Sequence, residues 1–394
     1  MTGNWLLPEN LADVLPAEAL QIESLRRRML DLFRVRGFEL VLPPLVEYLE
    51  SLLPAAGQDL RLRTFKLVDQ LSGRTLGVRA DMTSQVTRID AHILNRPGVV
   101  RLCYCGPVLH ARPAGLMANR ELLQIGAEIY GQPSLEADLD IIRLALNCLD
   151  MAEVQQPALV LCHAGLVRAI IESDSKAVAR ADEIVVLLRD KDLPGLAGLR
   201  HGAHAIEDLT VTALEVLPKS YGDLHSLAKA KATLPKLPGV TLALEALEFL
   251  FISLKDTHVS IDLSDVGAYG YHSGVTFSIY AEGWHDALVQ GGRYDNVGQS
   301  FGRARTATGF SLDLRKIARD LWHSEKPKAI CAPFDPSPDL QKLVADLRDV
   351  GEIVVQLFSK ENPPHDAFLF DRHIVKVDRQ WVVQNIPLHR TVDT

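Results

Sequence analysis

The sequence predicts an α+β fold, and three features lead there. Residues 99–131 read as two strands joined by a long loop, with apolar side chains on alternate positions of each arm. Residues 16–36 carry leucines, Met29 and Phe33 at helical spacing, and alanine- and leucine-rich helical segments dominate 172–255. Strand patterns then return at 258–263 and 275–280. A chain of 394 residues, 47% hydrophobic and 23% charged, can bury a real core and divide into two or three domains. The composition is globular, neither disordered nor fibrous.

In order, Pro16–Arg36 is expected as an amphipathic helix, with Arg26, Arg27 and Arg28 mostly on a solvated face and Gly37 ending it. The stretch FELVLPPLVEY follows as a strand broken by Pro43 and Pro44. Thr64–Val68 and Thr75–Val78 form a hairpin around Leu71-Ser72-Gly73-Arg74. Arg79-Ala80-Asp81-Met82-Thr83 opens a helix for which Asp81 or Thr83 is the natural N-cap.

In the central stretch Val99–Tyr104 is a strand, Gly106–Pro107 and Arg112–Gly115 are turn punctuation, and Glu121–Tyr130 is the return strand. Leu123, Ile125, Ala127 and Ile129 fall on one face of that strand; Leu122, Gln124, Gly126 and Glu128 fall on the other. A polar pair on one face of an apolar strand is either the solvent side of a sheet or the floor of a pocket. Spacing alone leaves both open.

Glu136–Asp150 reads as a helix and Ala158–Cys162 as a short strand. The helical run 172–255, interrupted at 191–195 and 234–239, reads as an insertion, with His201 and His204 as surface or cap residues. The glycine-rich bend at 266–274, holding Tyr269, Tyr271 and His272, is either a packed corner or a pocket wall. Gly291–Asp295 on its own reads as a turn, and Thr308–Leu314 leads into a helix. The tail is expected to hold a helix at 340–349, an apolar strand at 352–358 and a hairpin-like end at 367–383. The domain boundaries that follow are a core of 1–171 with 256–322, a helical insertion of 172–255 and a small C-terminal α/β domain of 326–394.

Several function classes are disfavoured. A net charge of −8 argues against broad non-specific nucleic-acid binding. No apolar run approaches membrane-span length, and Met1–Asn10 lacks a basic stretch followed by an apolar one, so a cytoplasmic chain with no membrane partner is expected. The five cysteines, including Cys103-x-Cys105, lack zinc-site spacing and read as buried reduced thiols. No metal and no cofactor are expected.

Taken in order, these segments resemble the class II aminoacyl-tRNA synthetases, and among them the histidyl-tRNA synthetases. The long helix with RGFELVLPPLVEY is similar to motif 1, which builds their dimer interface, and residues 99–131 resemble the motif-2 hairpin, with its GP and its Q-x-G-x-E strand. Residues 79–83 resemble the R-P-E-x-T segment, and the 266–274 bend, GGRYD and the G-F-x-x-x-L helix follow in the family's order. The resemblance covers about 8–320 outside the insertion and implies an antiparallel sheet flanked by helices. It implies a histidine-binding pocket made by Asp81, Thr83, Gln124, Glu128, Tyr271, His272 and Tyr294, in which Asp81 and Thr83 hold the ammonium group. His272 departs from the family there, standing where a tyrosine reads the imidazole.

The ATP-binding arginines depart further. His110 matches the motif-2 arginine, Gly267 the first residue of R-G-L-D-Y-Y, and Lys316 the motif-3 arginine, one place after Arg315; Arg120 is retained. The tail is also too short for the usual anticodon domain. A histidine-binding core without ATP chemistry resembles a paralogous family, the regulatory subunits of ATP phosphoribosyltransferase. That implies no catalytic residues, a short-form catalytic chain as partner, a homodimer core within a hetero-octamer, activation of the first step of L-histidine biosynthesis, L-histidine as feedback effector, and no tRNA. A divergent histidyl-tRNA synthetase is the alternative, and an RNA-binding sensor a third.

Overall fold

The computed structural model describes residues 6–53, 58–113, 115, 118–266, 270–320, 326–358 and 368–386; Gly267 and Tyr269 lie outside the described residues. The chain forms two compact units, Met1–Asp13 with Gln21–Leu321, and Val14–Leu20 with Trp322–Thr394. No described helix is long and apolar enough to cross a membrane.

The strands of the first unit are β1 (Glu39–Leu40), β2 (Val46–Tyr48), β3 (Phe65–Val68), β4 (Thr75–Val78), β5 (Val100–Leu109), β6 (Glu121–Tyr130), β7 (Ala158–His163), β8 (Tyr221–Gly222), β9 (His258–Asp262), β10 (Val275–Tyr280), β11 (Val289–Arg293) and β12 (Ala307–Asp313). Nine of them make one sheet in the order β1-β5-β6-β12-β11-β10-β7-β9-β8, while β2-β4-β3 form a separate small sheet. Neighbours in the large sheet are antiparallel except β1 with β5 and β7 with β9. The expected antiparallel sheet is therefore present, with one parallel pair near each end.

Helices back one face of this sheet. The helix Pro16–Val35 buries Ile22, Leu25, Met29 and Phe33, and the Phe33 ring meets Phe310 of β12 edge-on at 6.1 Å. Leu135–Met151 packs on β6, β11 and β12 through a stripe that includes Ile141, Ile142, Ala145 and Cys148. Between β7 and β9 the chain is helical, from Ala164–Glu172 to Pro238–Ser253, apart from the two-residue β8 at the sheet edge.

Several local expectations are corrected. Gly106–Pro107 is no turn: β5 runs on through both, pairing them with Gln124 and Leu123. On its other side β1 reaches only Leu102 and Cys103, so a proline at 107 takes nothing from that ladder. Thr308–Asp313 does lead into a helix, which begins at Leu314, but is itself a strand that the pattern had not announced. As a central strand paired on both sides and buried on both faces, β12 lacks the alternation that would have announced it. Gly291 and Gly292 lie within β11 rather than in a turn; a Cβ at 291 would strike the Phe277 ring and the Gly309 carbonyl. The first position of the helix Thr83–Arg88 follows Met82, and Asp81 caps it from one place further back, accepting from the Thr83 N–H at 2.7 Å.

The second unit holds β13 (Lys328–Pro333), the helix Pro338–Asp349, β14 (Val354–Leu357), β15 (Leu369–Val377) and β16 (Gln380–Asn385), in the order β14-β13-β15-β16. The sequence pattern missed β13, a six-residue run bounded by prolines at 327 and 333. It pairs parallel with β14 and β15, while β15 and β16 form a hairpin whose tip, Asp378-Arg379, has φ of 46° and 67°. Leu340 and Val344 seat the helix on Ile330, Ala332, Val354 and Ile374.

Candidate functional site

Glu121–Tyr130 runs between β5 and β12, and the face bearing Gln124, Gly126, Glu128 and Tyr130 turns inward. The helix Thr83–Arg88 and the turn at 297–301 cover it, with Met82, Val86, Leu102, Tyr104, Tyr130, Tyr294 and Val297 as an apolar shell. Gln124 is 8% exposed and Glu128 1%. This face is therefore buried rather than the solvent side of the sheet.

Burying polar groups is costly unless each finds a partner. Here they form two linked sets. At one end Gln124 accepts from the Met82 N–H at 2.9 Å and donates to the Asp81 carboxylate at 2.7 Å, and the other oxygen of Asp81 holds the Thr83 N–H. At the other end the two Glu128 oxygens accept from Tyr104 at 3.0 Å and Tyr294 at 2.6 Å. The Thr83 hydroxyl, 3.3 Å from the Tyr104 hydroxyl, joins the two ends. Tyr130 lies 3.3 Å from both Tyr294 and Thr87. Tyr271 stacks on Tyr294 at 5.1 Å, and His272 meets Tyr271 edge-on at 5.3 Å.

Two glycines make room for this set. Gly126 lies opposite Tyr104, where a Cβ would collide with the phenol and with the Phe310 carbonyl. Gly309 lies opposite Glu128, and a Cβ there would fall on the carboxylate itself. The strands can thus carry a carboxyl and a phenol lying flat over the sheet.

Burial pushes the Glu128 carboxyl up to about 8, against the downward pull of the Tyr294 and Tyr104 hydroxyls; the nearby Asp81 charge adds to the rise. Burial likewise raises the four tyrosines well above their ordinary value. The Tyr271 hydroxyl is buried without a hydrogen-bond partner among the described residues. Chemically, the arrangement offers an anionic partner for an ammonium group at one end. At the other it offers a carboxyl among aromatic rings, suited to a small polar ring.

All seven candidate residues thus fall in one place, in the set built around β6. Sequence reasoning missed Tyr104, Tyr130 and Thr87. Tyr104 had a signal: it lies on the strand paired with Glu121–Tyr130, facing a glycine.

The residues matched to ATP-binding arginines are engaged otherwise. His110 is buried with Nε2 3.0 Å from the Ala80 carbonyl. Arg120 donates to the carbonyls of His110 at 3.0 Å and Glu9 at 3.3 Å, and its guanidinium lies over the Phe65 ring. Arg315 holds Glu121 at 2.9 Å and the Ala12 carbonyl at 2.8 Å, and Lys316 donates to the carbonyls of Asp286 and Ala287. Among the described residues no group of three or more His, Cys, Asp or Glu could hold a metal ion. The five cysteines are free, and burial pushes the Cys103 and Cys105 thiols up to about 12.

Comparison with known proteins identifies the family and the fold. The histidyl-tRNA synthetase family model matches residues 10–317, and the model of the ATP phosphoribosyltransferase subunit HisZ C-terminal domain matches residues 327–384. The chain is 59% identical to the ATP phosphoribosyltransferase regulatory subunit of Bordetella petrii, over 98% of this chain and 100% of that one. It is 53% identical to the protein of that name from Burkholderia thailandensis, over 97% and 99%. Among solved structures, an ATP phosphoribosyltransferase regulatory subunit/histidyl-tRNA synthetase from Bacillus halodurans superposes with a TM-score of 0.81 at 24% identity, covering 93% of this chain and 96% of that one. Histidyl-tRNA synthetase from Nostoc sp. PCC 7120 gives 0.75 at 17%, covering 95% and 92%. At such identities the likeness concerns the fold, which is that of the class II synthetases.

Proposed function

The chain belongs to the ATP phosphoribosyltransferase regulatory subunit family, and from that membership we propose how it works. It is the regulatory subunit of ATP phosphoribosyltransferase, acting in histidine biosynthesis. It carries no catalytic residues of its own, works in the cytoplasm, activates a short-form catalytic chain in the first step, and mediates feedback by L-histidine. Its homodimer forms the core of a hetero-octamer with equal numbers of the catalytic chain.

Histidine takes the pocket of Asp81, Thr83, Gln124, Glu128, Tyr271, His272 and Tyr294. The ammonium group meets Asp81 and Gln124, and the imidazole meets Glu128 and the hydroxyl of Tyr271. One observation carries this reading: the Asp81–Gln124 and Glu128–tyrosine sets are fully built, while Arg120 and Arg315 are spent on internal carbonyls and Glu121. Free histidine can move the complex between states only as far as its affinities for them differ.

The test is to assay the short catalytic chain alone, with this chain, and with this chain plus histidine. Phosphoribosyl transfer should rise on adding the chain and fall again with histidine. Equal rates in all three would reject the proposal.

A further inference from the structure

The C-terminal unit carries a groove that the histidine pocket does not explain. A cavity of about 520 Å³ opens beyond the carboxyl ends of the parallel strands β13 and β14, the place where open α/β sheets leave a crevice. Phe334 follows β13 and Phe358 follows β14. Their rings lie 5.3 Å apart, yet they are 61% and 63% exposed. Single exposed apolar side chains are ordinary, but an aromatic pair at the mouth of a cavity marks a contact surface. The far wall is Trp381, fixed by its indole N–H to the Ser337 hydroxyl at 3.2 Å, with the Lys376 ammonium 5.3 Å from its ring centroid.

Charge narrows the occupant. On a chain of net charge −8, the described lining holds Lys376 and His373 and no carboxylate. An isologous contact of this groove with its own copy would bring two linings without a carboxylate together. A heterologous partner bearing carboxylates meets the groove with complementary sign.

We propose that this groove docks an acidic segment with an apolar anchor from the short catalytic chain, the anchor packing on the exposed faces of Phe334 and Phe358 and a carboxylate pairing with Lys376. The proposal rests on the partnership stated above.

The test measures the dissociation constant between the full chain and the short catalytic chain by calorimetry. Compared are the wild type, a double variant Phe334→Ser with Phe358→Ser, and Lys376→Glu. Both phenyls and Lys376 are exposed, so thermal unfolding and histidine binding should match the wild type. The double variant should bind at least about tenfold more weakly, as loss of an aromatic anchor does. Lys376→Glu should bind more weakly with a shallower salt dependence. Wild-type binding with an unchanged double variant would overturn the docking proposal and leave the partnership standing. Failure of the wild type to bind would overturn both. A double variant that lowers the mass of the isolated chain in sedimentation would assign the groove to a second copy, and so overturn the proposal too.

Discussion

Two stations along the β6 segment, one within the strand and one at its start, have opposite fates. At Gln124 and Glu128 the side chains turn under the helix Thr83–Arg88 and meet partners that a small amino acid could share. At Arg120 and Glu121 the side chains that face the neighbouring loops are committed. Arg120 clasps the carbonyls of His110 and Glu9, and Glu121 holds Arg315. A guanidinium already bonded to backbone keeps its charge but has fewer donors to offer a phosphate. The comparison teaches that one strand can bury a polar floor while the arginines beside it are taken up by internal partners.

The strongest way to break that comparison is to look for adenylation. Removing one preorganised donor from a developing charge costs about 10²–10³ in rate, so losing two or three leaves a deficit on the order of 10⁴ or more, even without additivity. The isolated chain should show no histidine-dependent exchange of pyrophosphate into ATP above a no-protein control. Measurable exchange would show that Arg120 and Arg315 still serve a triphosphate.

A second variant attacks the floor. Gly309→Ala places a methyl where the Glu128 carboxylate lies. Overpacking of this kind costs about 1–3 kcal/mol, and histidine affinity should drop by roughly tenfold or more as the carboxyl is pushed aside. Calorimetry that finds unchanged affinity would mean that Glu128 is not a contact.

Much of this was legible in the sequence, and the gaps have physical causes. Alternation placed Gln124 and Glu128 on one face, because a strand's side chains repeat every two residues. Alternation could not say whether that face met water; the cover comes from Met82, Val86 and Tyr294, distant in sequence. Strand β12 escaped notice because a central strand buried on both faces shows no period. Pro107 looked like a turn because its tolerance depends on how far β1 extends. The tyrosines around Glu128 needed the β5–β6 register before Tyr104 could be set beside it.

A titration sharpens the contrast at Glu128. Its carboxyl keeps a proton in the folded chain up to about 8, whereas an unfolded glutamate releases it near ~4.3. Across that window the folded state binds the extra proton, so rising pH drains stability. Glu128→Gln has no such proton. Its melting temperature relative to the wild type should climb from pH ~5 to ~8 and level off above. A pH-independent difference would place Glu128 in a wetter site than the structure gives it.

The smallest effect belongs to Tyr271. Its buried hydroxyl lacks a partner among the described residues, so Tyr271→Phe should stabilise the free chain slightly, by at most about 1 kcal/mol. It should also bind histidine more weakly. A destabilised free chain with unchanged affinity would make the hydroxyl structural.

The most direct test compares histidine inhibition of the complex carrying wild-type or Glu128→Ala regulatory chain. Leaving a buried donor of the ligand without its acceptor costs about 1–3 kcal/mol, or roughly 5- to 150-fold in affinity. The variant complex should keep most of its phosphoribosyl transfer and need correspondingly more histidine for half-inhibition. An unchanged inhibition constant in an active complex would contradict the account, because the regulatory histidine would then bind somewhere other than β6.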